Sequence, residues 1–235
     1  DFNMYTYKYP HPAVTTDCVI FGFDGKELHI LLVERGIEPY KGQWALPGGF
    51  LKLDETAEEC ARRELLEETA IKDVYLEQFH TFTAVKRDPR ERVLTIAYYA
   101  LVHKSDYQVI AGDDAAKASW FTIDKLPLLA FDHKNIFMMA REKLKERLAI
   151  KPIVFKLLDE KFKMSELQRL YEIINDTSYD RRNFQKKMIA TGFLADEGPN
   201  PIPEQNRAAT LYRFKEEEFR KQKDTHEWKK YPFDF

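Results

Sequence analysis

The 235-residue chain contains only two cysteines, Cys18 and Cys60, which lie far apart and in no CxxC or Cys/His cluster. That argues against a disulfide scaffold and against a zinc site, and leaves two reduced core thiols as the expectation. No run of about 18 apolar residues occurs, and the polar start DFNMYTYKYPHP has no apolar stretch of the kind a secretory signal needs. A cytoplasmic protein with no membrane partner is expected. Internal repeats and low-complexity tracts are also missing. What is present is 44% hydrophobic and 32% charged residues, enough apolar side chains for real cores. The length favours two compact units.

The net charge of −2 conceals an asymmetry. Residues 1–150 hold 20 basic and 24 acidic side chains, whereas residues 151–235 hold 17 and 15, so the second part is mildly basic. Val14 to Phe23 and Leu28 to Glu34 read as strands around the turn Asp24-Gly25-Lys26. A Gly/Pro-rich loop with Pro47, Gly48 and Gly49 precedes a helix over about Thr56 to Thr69, where β-branched residues are almost absent. Strands are expected at Val74 to Val85, Val93 to Val102 and Ala118 to Ile123, and a helix at Asn135 to Leu148. Lys151-Pro152 is the expected boundary between the units 1–150 and 151–235, because the residue before proline leaves helical geometry. Beyond it, a helix capped by Ser165 and a second from Tyr179 to Thr191, ending at Gly192, precede a hairpin-like segment of Phe193-Leu194, a Gly/Pro-rich loop and Thr210 to Phe214. That is the element order of a winged helix-turn-helix. The aromatic, charged tail HEWKKYPFDF is expected to pack back on this unit.

Chemistry concentrates on the first helix. Glu64, Glu67 and Glu68 stand at i, i+3 and i+4, close enough to repel unless solvent or cations intervene. At about 100° per residue, Glu64 and Glu68 fall beside the apolar stripe of Ala57, Ala61 and Leu65, while Glu58, Glu59, Arg62 and Arg63 lie towards the other side. Inward carboxylates suit a hard divalent ion such as Mg²⁺, which takes oxygen ligands, waters and substrate phosphates. Gly48 and Gly49 would let a backbone carbonyl and a diphosphate approach the same metal. Such a metal would polarise phosphorus and activate a water.

The stretch GGFLKLDETAEECARRELLEETAI resembles the Nudix box over its full length. The resemblance implies a mixed α/β (α+β) Nudix fold over roughly residues 12–140. It makes Glu64, Glu67 and Glu68 metal-binding or base-positioning carboxylates, with Glu55 and the Gly49 carbonyl completing the site for Mg²⁺ or Mn²⁺. Arg63 matches the box arginine that orients a glutamate. Ala70 stands where the family usually has glycine, a departure that touches helix termination more than ligand chemistry. QWALPGGF, KRDPRERV, AGDDAAKASWF and LPLLAFDHKNI further resemble ADP-ribose pyrophosphatase-type members. Trp44 and Trp120 are candidate base-stacking platforms or core aromatics, and Arg90 a phosphate clamp or a solvated charge. Asp113 and Asp114 are a base or metal ligand, or a turn. His133 alone defines no metal site or triad.

In DRRNFQKKMIATG, Phe184 and Met188 are spaced to bury one helix face, so Arg182 and Lys186 point away and Asn183 and Gln185 flank them. Cations there could grip phosphates and the amides could read base edges. Arg181, Lys187, Arg207 and Arg213 are further DNA-contact candidates. D-x-RNF and R-x-A-x-LYRF after a Nudix box resemble the Nudix-related transcriptional regulators, with a C-terminal winged helix. In that family the Nudix part senses ADP-ribose or a sugar, and a homodimer binds a double-stranded operator. Asp180, Arg182, Asn183 and Phe184 fit the helix signature; Arg207, Ala209, Leu211, Tyr212, Arg213 and Phe214 fit the wing, and Ala208 stands where many relatives have proline. Three functions remain open: a metabolite-responsive regulator whose Nudix domain binds ADP-ribose or a related nucleoside diphosphate, with or without hydrolysing it, which is the favoured reading; a Nudix hydrolase with an accessory domain; and a non-catalytic pentose-sensing repressor.

Overall fold

The structure is a computed structural model that describes residues 6–107, 117–201 and 209–224. Its centre is a seven-stranded mixed sheet. The strands β1 (Ala13–Phe23), β2 (Leu28–Glu34), β3 (Trp44–Ala45), β5 (Tyr75–Phe82) and β6 (Val93–His103) run in the order β3-β2-β1-β6-β5, with β4 (Gly48–Phe50) on β1 and β7 (Ala118–Thr122) on β2. Among the described strands of this sheet only the β1–β6 pair is parallel, and it keeps register from Ala13↔Val93 to Phe23↔His103. Both of these strands are covered on two faces, which explains their near-continuous apolar sequences. Cys18, Ile20, Tyr98 and Ala100 meet Ala61 and Leu65 of helix α1 (Ala57–Thr69) on one face. Val19, Phe21, Ala97 and Tyr99 meet Ile136, Phe137, Ala140 and Leu144 of α2 (His133–Ile150) on the other.

Helix α1 begins where its chemistry says it should. Thr56 Oγ1 accepts from the Glu59 backbone N–H, and Glu59 reaches back to the Thr56 N–H, a reciprocal cap that satisfies two otherwise orphaned donors. It ends at Ala70 in the left-handed region, φ 58°, with the Ala70 N–H on the Leu66 carbonyl. A Cβ costs about 1 kcal/mol there. Ala70→Gly should therefore gain roughly that much stability in urea denaturation; a loss would mean that the alanine methyl has a packing role.

The second unit is joined to the first through a shared core. Helix α2 stops at Ile150, Lys151 is extended ahead of Pro152, and a 3-10 turn at Ile153–Leu157 buries Ile153, Val154 and Leu157 in the same cluster as Phe21, Tyr99 and Leu144. Helices α3 (Met164–Asn175) and α4 (Arg181–Ala190) follow, with a small sheet ordered β8-β10-β9 from β8 (Phe162–Lys163), β9 (Leu194–Pro199) and β10 (Thr210–Phe214), then α5 (Glu216–Asp224). This is a winged helix-turn-helix. Ser165 lies inside α3 and does not cap it: the helix starts at Met164, and the Glu166 carboxylate accepts from the Lys163 N–H at 2.8 Å. Asp180 does cap α4, accepting from the Asn183 N–H at 2.9 Å. The tail HEWKKYPFDF lies outside the described residues. No helix among the described residues is long and apolar enough to cross a membrane.

Candidate functional site

Strand β4 pairs with β1 and packs beside α1 closely at its two glycines, while Phe50 points its ring outward. A Cβ at Gly48 would overlap the Thr16 carbonyl oxygen, and one at Gly49 would overlap the Glu64 carboxylate. Close approach of backbone thus requires glycine at position 48, while a side chain at position 49 would displace the Glu64 carboxylate. Glu64 exposes 13% of its side chain, whereas Glu67, one turn on, exposes 55%. Glu68 accepts from the Gly48 N–H at 3.0 Å. Burial, reinforced by the charges of Glu64 and Asp17, raises its carboxyl to about 7 against the pull of that N–H. A cation beside Glu64, Glu68 and the Gly49 carbonyl would relieve this penalty. The donors are all oxygens, the ligand type a hard divalent ion takes, and they fit such an ion through two carboxylates and one carbonyl, since no three of these carboxylates converge within 4.8 Å among the described residues.

Arg63 connects the remaining carboxylates. Its Nε and Nη2 donate to the two oxygens of Glu55 at 2.9 and 2.6 Å, while Nη1 reaches Glu64 at 2.5 Å and Glu67 at 3.2 Å. This fork holds the Glu55 carboxyl down to about 2. The sequence pairing of Arg63 with Glu67 alone understates its reach, because the Glu55 partner comes from the loop before the helix.

A cleft of about 260 Å³ opens over this site, bounded by Gly48, Gly49, Phe50, Glu68, Arg35, Arg90 and Phe131 among others. Two guanidiniums meet on Phe131, Arg35 at 4.7 Å and Arg90 at 5.5 Å from the ring centroid, and Arg90 also stands 5.2 Å from the Phe50 ring. Arg90 is forked onto Asp88. Arg35 donates through Nε to the Pro39 carbonyl at 2.7 Å, but its buried Nη2 has no hydrogen-bond partner. Burial and then the charge of Arg90 lower its pKa. A site that holds two cations this close, one with an unmet donor, is built for an anion.

Behind the cleft, residues from three separate motifs join Asp17 of β1 in one buried network. Arg87 exposes 4% of its side chain and forks onto Asp132 at 2.8 and 3.0 Å while touching Asp17 at 3.3 Å. His133 Nδ1 accepts from the Leu46 N–H at 2.9 Å, so the other ring nitrogen carries the proton towards Asp17, 3.6 Å away. Burial keeps this imidazole below its ordinary pKa. Asp17, Arg35, Arg87, Phe131 and Asp132 were not legible as site residues. KRDPRERV offers three arginines, Arg87, Arg90 and Arg92, with nothing local to choose among them, and Arg35 is an isolated cation at a strand end.

Other candidates fall elsewhere. Trp44 packs edge-on against Phe121 at 4.8 Å and does not line the cleft. Trp120 donates to the Tyr107 carbonyl at 3.4 Å and packs with the α1-side core. Asp113, Asp114 and Arg207 lie outside the described residues. On α4, Phe184 and Met188 are buried while Arg181, Arg182, Asn183, Lys186 and Lys187 are exposed. Gln185 is half-buried, its amide 3.5 Å from the Tyr212 hydroxyl. Arg213 donates to Glu197 at 3.0 Å, which reduces its availability to DNA. A larger cavity of about 900 Å³ lies at the junction of the two units, apart from the carboxylates. Asp24, Glu27 and His29 also converge, but the Lys104 ammonium stands 3.1 Å from His29 Nε2 and already supplies the cation.

The NUDIX domain family matches residues 11–140, and the NrtR DNA-binding winged helix domain matches residues 154–214. The chain belongs to the Nudix family and carries an NrtR-type winged helix. It is 37% identical over 210 residues to the ADPR responsive transcriptional repressor NtrR of Acinetobacter baylyi, covering 88% of this chain and 83% of that one. Over 128 residues it is 41% identical to an ADP-ribose pyrophosphatase of Methanocaldococcus jannaschii, 54% of this chain and 72% of that one. The crystal structure of Shewanella oneidensis NrtR complexed with a 27mer DNA superposes with a TM-score of 0.75 at 31% identity, covering 86% of this chain and 93% of that chain.

Proposed function

We propose that the chain is a transcriptional repressor released from its operator by ADP-ribose, with residues 1–150 as the sensor and 151–235 as the DNA-binding unit. The observation that carries this reading is the pair Arg35 and Arg90 on Phe131 beside the inward carboxylates. A metal held by Glu64, Glu68 and the Gly49 carbonyl, with Glu67 and Glu55 near it, would neutralise one side of a diphosphate, and the two guanidiniums the other. A pentose carries no charge to meet them, so the arrangement favours the nucleoside diphosphate over a sugar effector. Mg²⁺ or Mn²⁺ is the ion of choice for such oxygen donors. The relatives' names point to the same ligand. A homodimer follows from DNA geometry, since two winged helices on half-sites multiply the few contacts one can make.

Arg35→Ala removes a charged donor from the anion. It should weaken ADP-ribose binding by about 10- to 100-fold in calorimetry with Mg²⁺ present, with the fold unchanged by circular dichroism. Wild-type affinity in that variant would place the diphosphate elsewhere.

A second reading, that the cleft also hydrolyses its ligand, is favoured by the complete set Glu55, Glu64, Glu67 and Glu68. Slow, metal-dependent release of AMP from ADP-ribose is the expected result, abolished by Glu67→Gln or Glu68→Gln. Activity that survives EDTA, or no activity across a panel of diphosphates, removes this second reading and leaves the sensor.

A further inference from the structure

We infer that Ile189 is a specificity-determining residue that reads a thymine methyl group in the major groove. The inference rests on the DNA-binding reading above and adds what the basic residues cannot supply. Helix α4 is anchored by Asp180 at its start and by Phe184 and Met188 in the core, which fixes its rotation. At about 100° per residue, Arg182, Lys186 and Ile189 lie within about 60° of the pole opposite that anchor. With Gln185 on the flank, they make an i, i+3, i+4, i+7 row, the spacing that lines four side chains along one side of a helix. Three of these are polar. Ile189 is half exposed, at 50%, one of the few large apolar side chains left in solvent among the described residues. A single exposed isoleucine is ordinary on most surfaces. Here it interrupts a cationic row on the face that would enter DNA, and its neighbour Ala190 is small and exposed.

The chemistry of the groove supplies a partner. Guanidinium and ammonium groups recognise guanine acceptors and phosphates, and amides recognise adenine; the one apolar feature of the major groove is the thymine 5-methyl group. Ile189 stands about 10 Å along the helix from Arg182. At about 3.4 Å per base pair, its target lies roughly three base pairs from the one Arg182 meets. Contact there would exclude water from both apolar surfaces without demanding a hydrogen bond.

The test uses the full-length protein. Bound duplexes are selected from a random-sequence pool by the wild-type chain and by Ile189→Ala, and each thymine of the wild-type consensus is then replaced singly by uracil, which lacks only the methyl group. One such replacement should weaken wild-type binding by about four-fold, the worth of one buried methyl. Ile189→Ala should show relaxed selection at that position and indifference to the replacement, with Ile189→Val intermediate. Its thermal midpoint and its affinity for non-specific duplex at low salt should match wild type, which a merely structural role would alter. Uracil indifference of the wild type at every position overturns the inference while leaving DNA binding intact. Failure of the wild type to enrich any sequence overturns both.

Discussion

Arg87→Ala should cost about 3–5 kcal/mol of stability, the largest effect expected of any single change in the cleft. The side chain is 4% exposed and bridges Asp17 on β1 to Asp132 at the start of α2, both largely buried. Removing it leaves two carboxylates without a counter-charge in a poorly hydrated place. Asp17 also stands near Glu68, whose carboxyl it already pushes upward. The loss should appear in chemical denaturation of the ligand-free protein, and Arg87→Ala combined with Asp17→Asn and Asp132→Asn should recover part of it. A cost below about 1 kcal/mol would mean that water reaches these groups and that the network is not what fixes the start of α2.

Arg182→Ala with Lys186→Ala should reduce affinity for a selected duplex by on the order of 10²-fold and flatten the dependence of log K on log salt by about one unit for each phosphate left without its cation. Both residues are exposed on the pole of α4 opposite Phe184 and Met188, so neither supports the fold. ADP-ribose affinity should be unchanged, because the cleft draws on β1, β2, β4, α1, the start of α2 and the loops beside them, and on nothing in α4. An unaltered salt slope would place the DNA on another surface.

The strands and the box helix were legible because their signals are local. A short, almost continuously apolar run beside the Asp24-Gly25-Lys26 turn reads out β2 at Leu28–Glu34, buried from Leu28 to Val33, and the Thr56/Glu59 cap sets the start of α1 within one residue. The inward tilt of Glu64 and Glu68 followed from helical spacing alone. The cleft's charge network was not legible, since Arg87 meets partners 45 and 70 positions away. No periodicity connects such residues; only the packing of β1 and α2 on one sheet does. In the second unit, β8 at Phe162–Lys163 is too short to leave a pattern. It exists because Lys163 and Phe162 pair with Leu211 and Tyr212. Ser165 misled for a related reason. A favourable capping residue was present, but Glu166 reached the Lys163 N–H first and moved the helix start.

The two units are joined by packing more than by a linker. Helix α2 starts at the Arg87–Asp132 fork beside the cleft, and its last turn is tied to β5, with Arg147 2.6 Å and Lys151 3.5 Å from Glu77. The 3-10 turn that follows is buried against β1 and β6. At the winged-helix end, Arg169 donates to the Lys26 carbonyl of the β1–β2 turn at 3.1 Å. A ligand that shifts the start of α2 therefore acts on a contiguous body, and in the proposed homodimer the expected response is a change in how the two bodies present their α4 helices to DNA. The coupling should be of order 1–3 kcal/mol, and DNA must weaken ligand binding by the same factor.

Fluorescence anisotropy of a labelled, selected duplex titrated with the full-length protein in Mg²⁺, with and without saturating ADP-ribose, tests the account most directly. The expected result is a Kd for DNA that rises by about 5- to 150-fold with ADP-ribose and is unaffected by a free pentose, and the Arg35→Ala variant should lose the response at the same ligand concentration. An identical DNA affinity with and without ADP-ribose, measured while calorimetry shows the ligand bound, would contradict it.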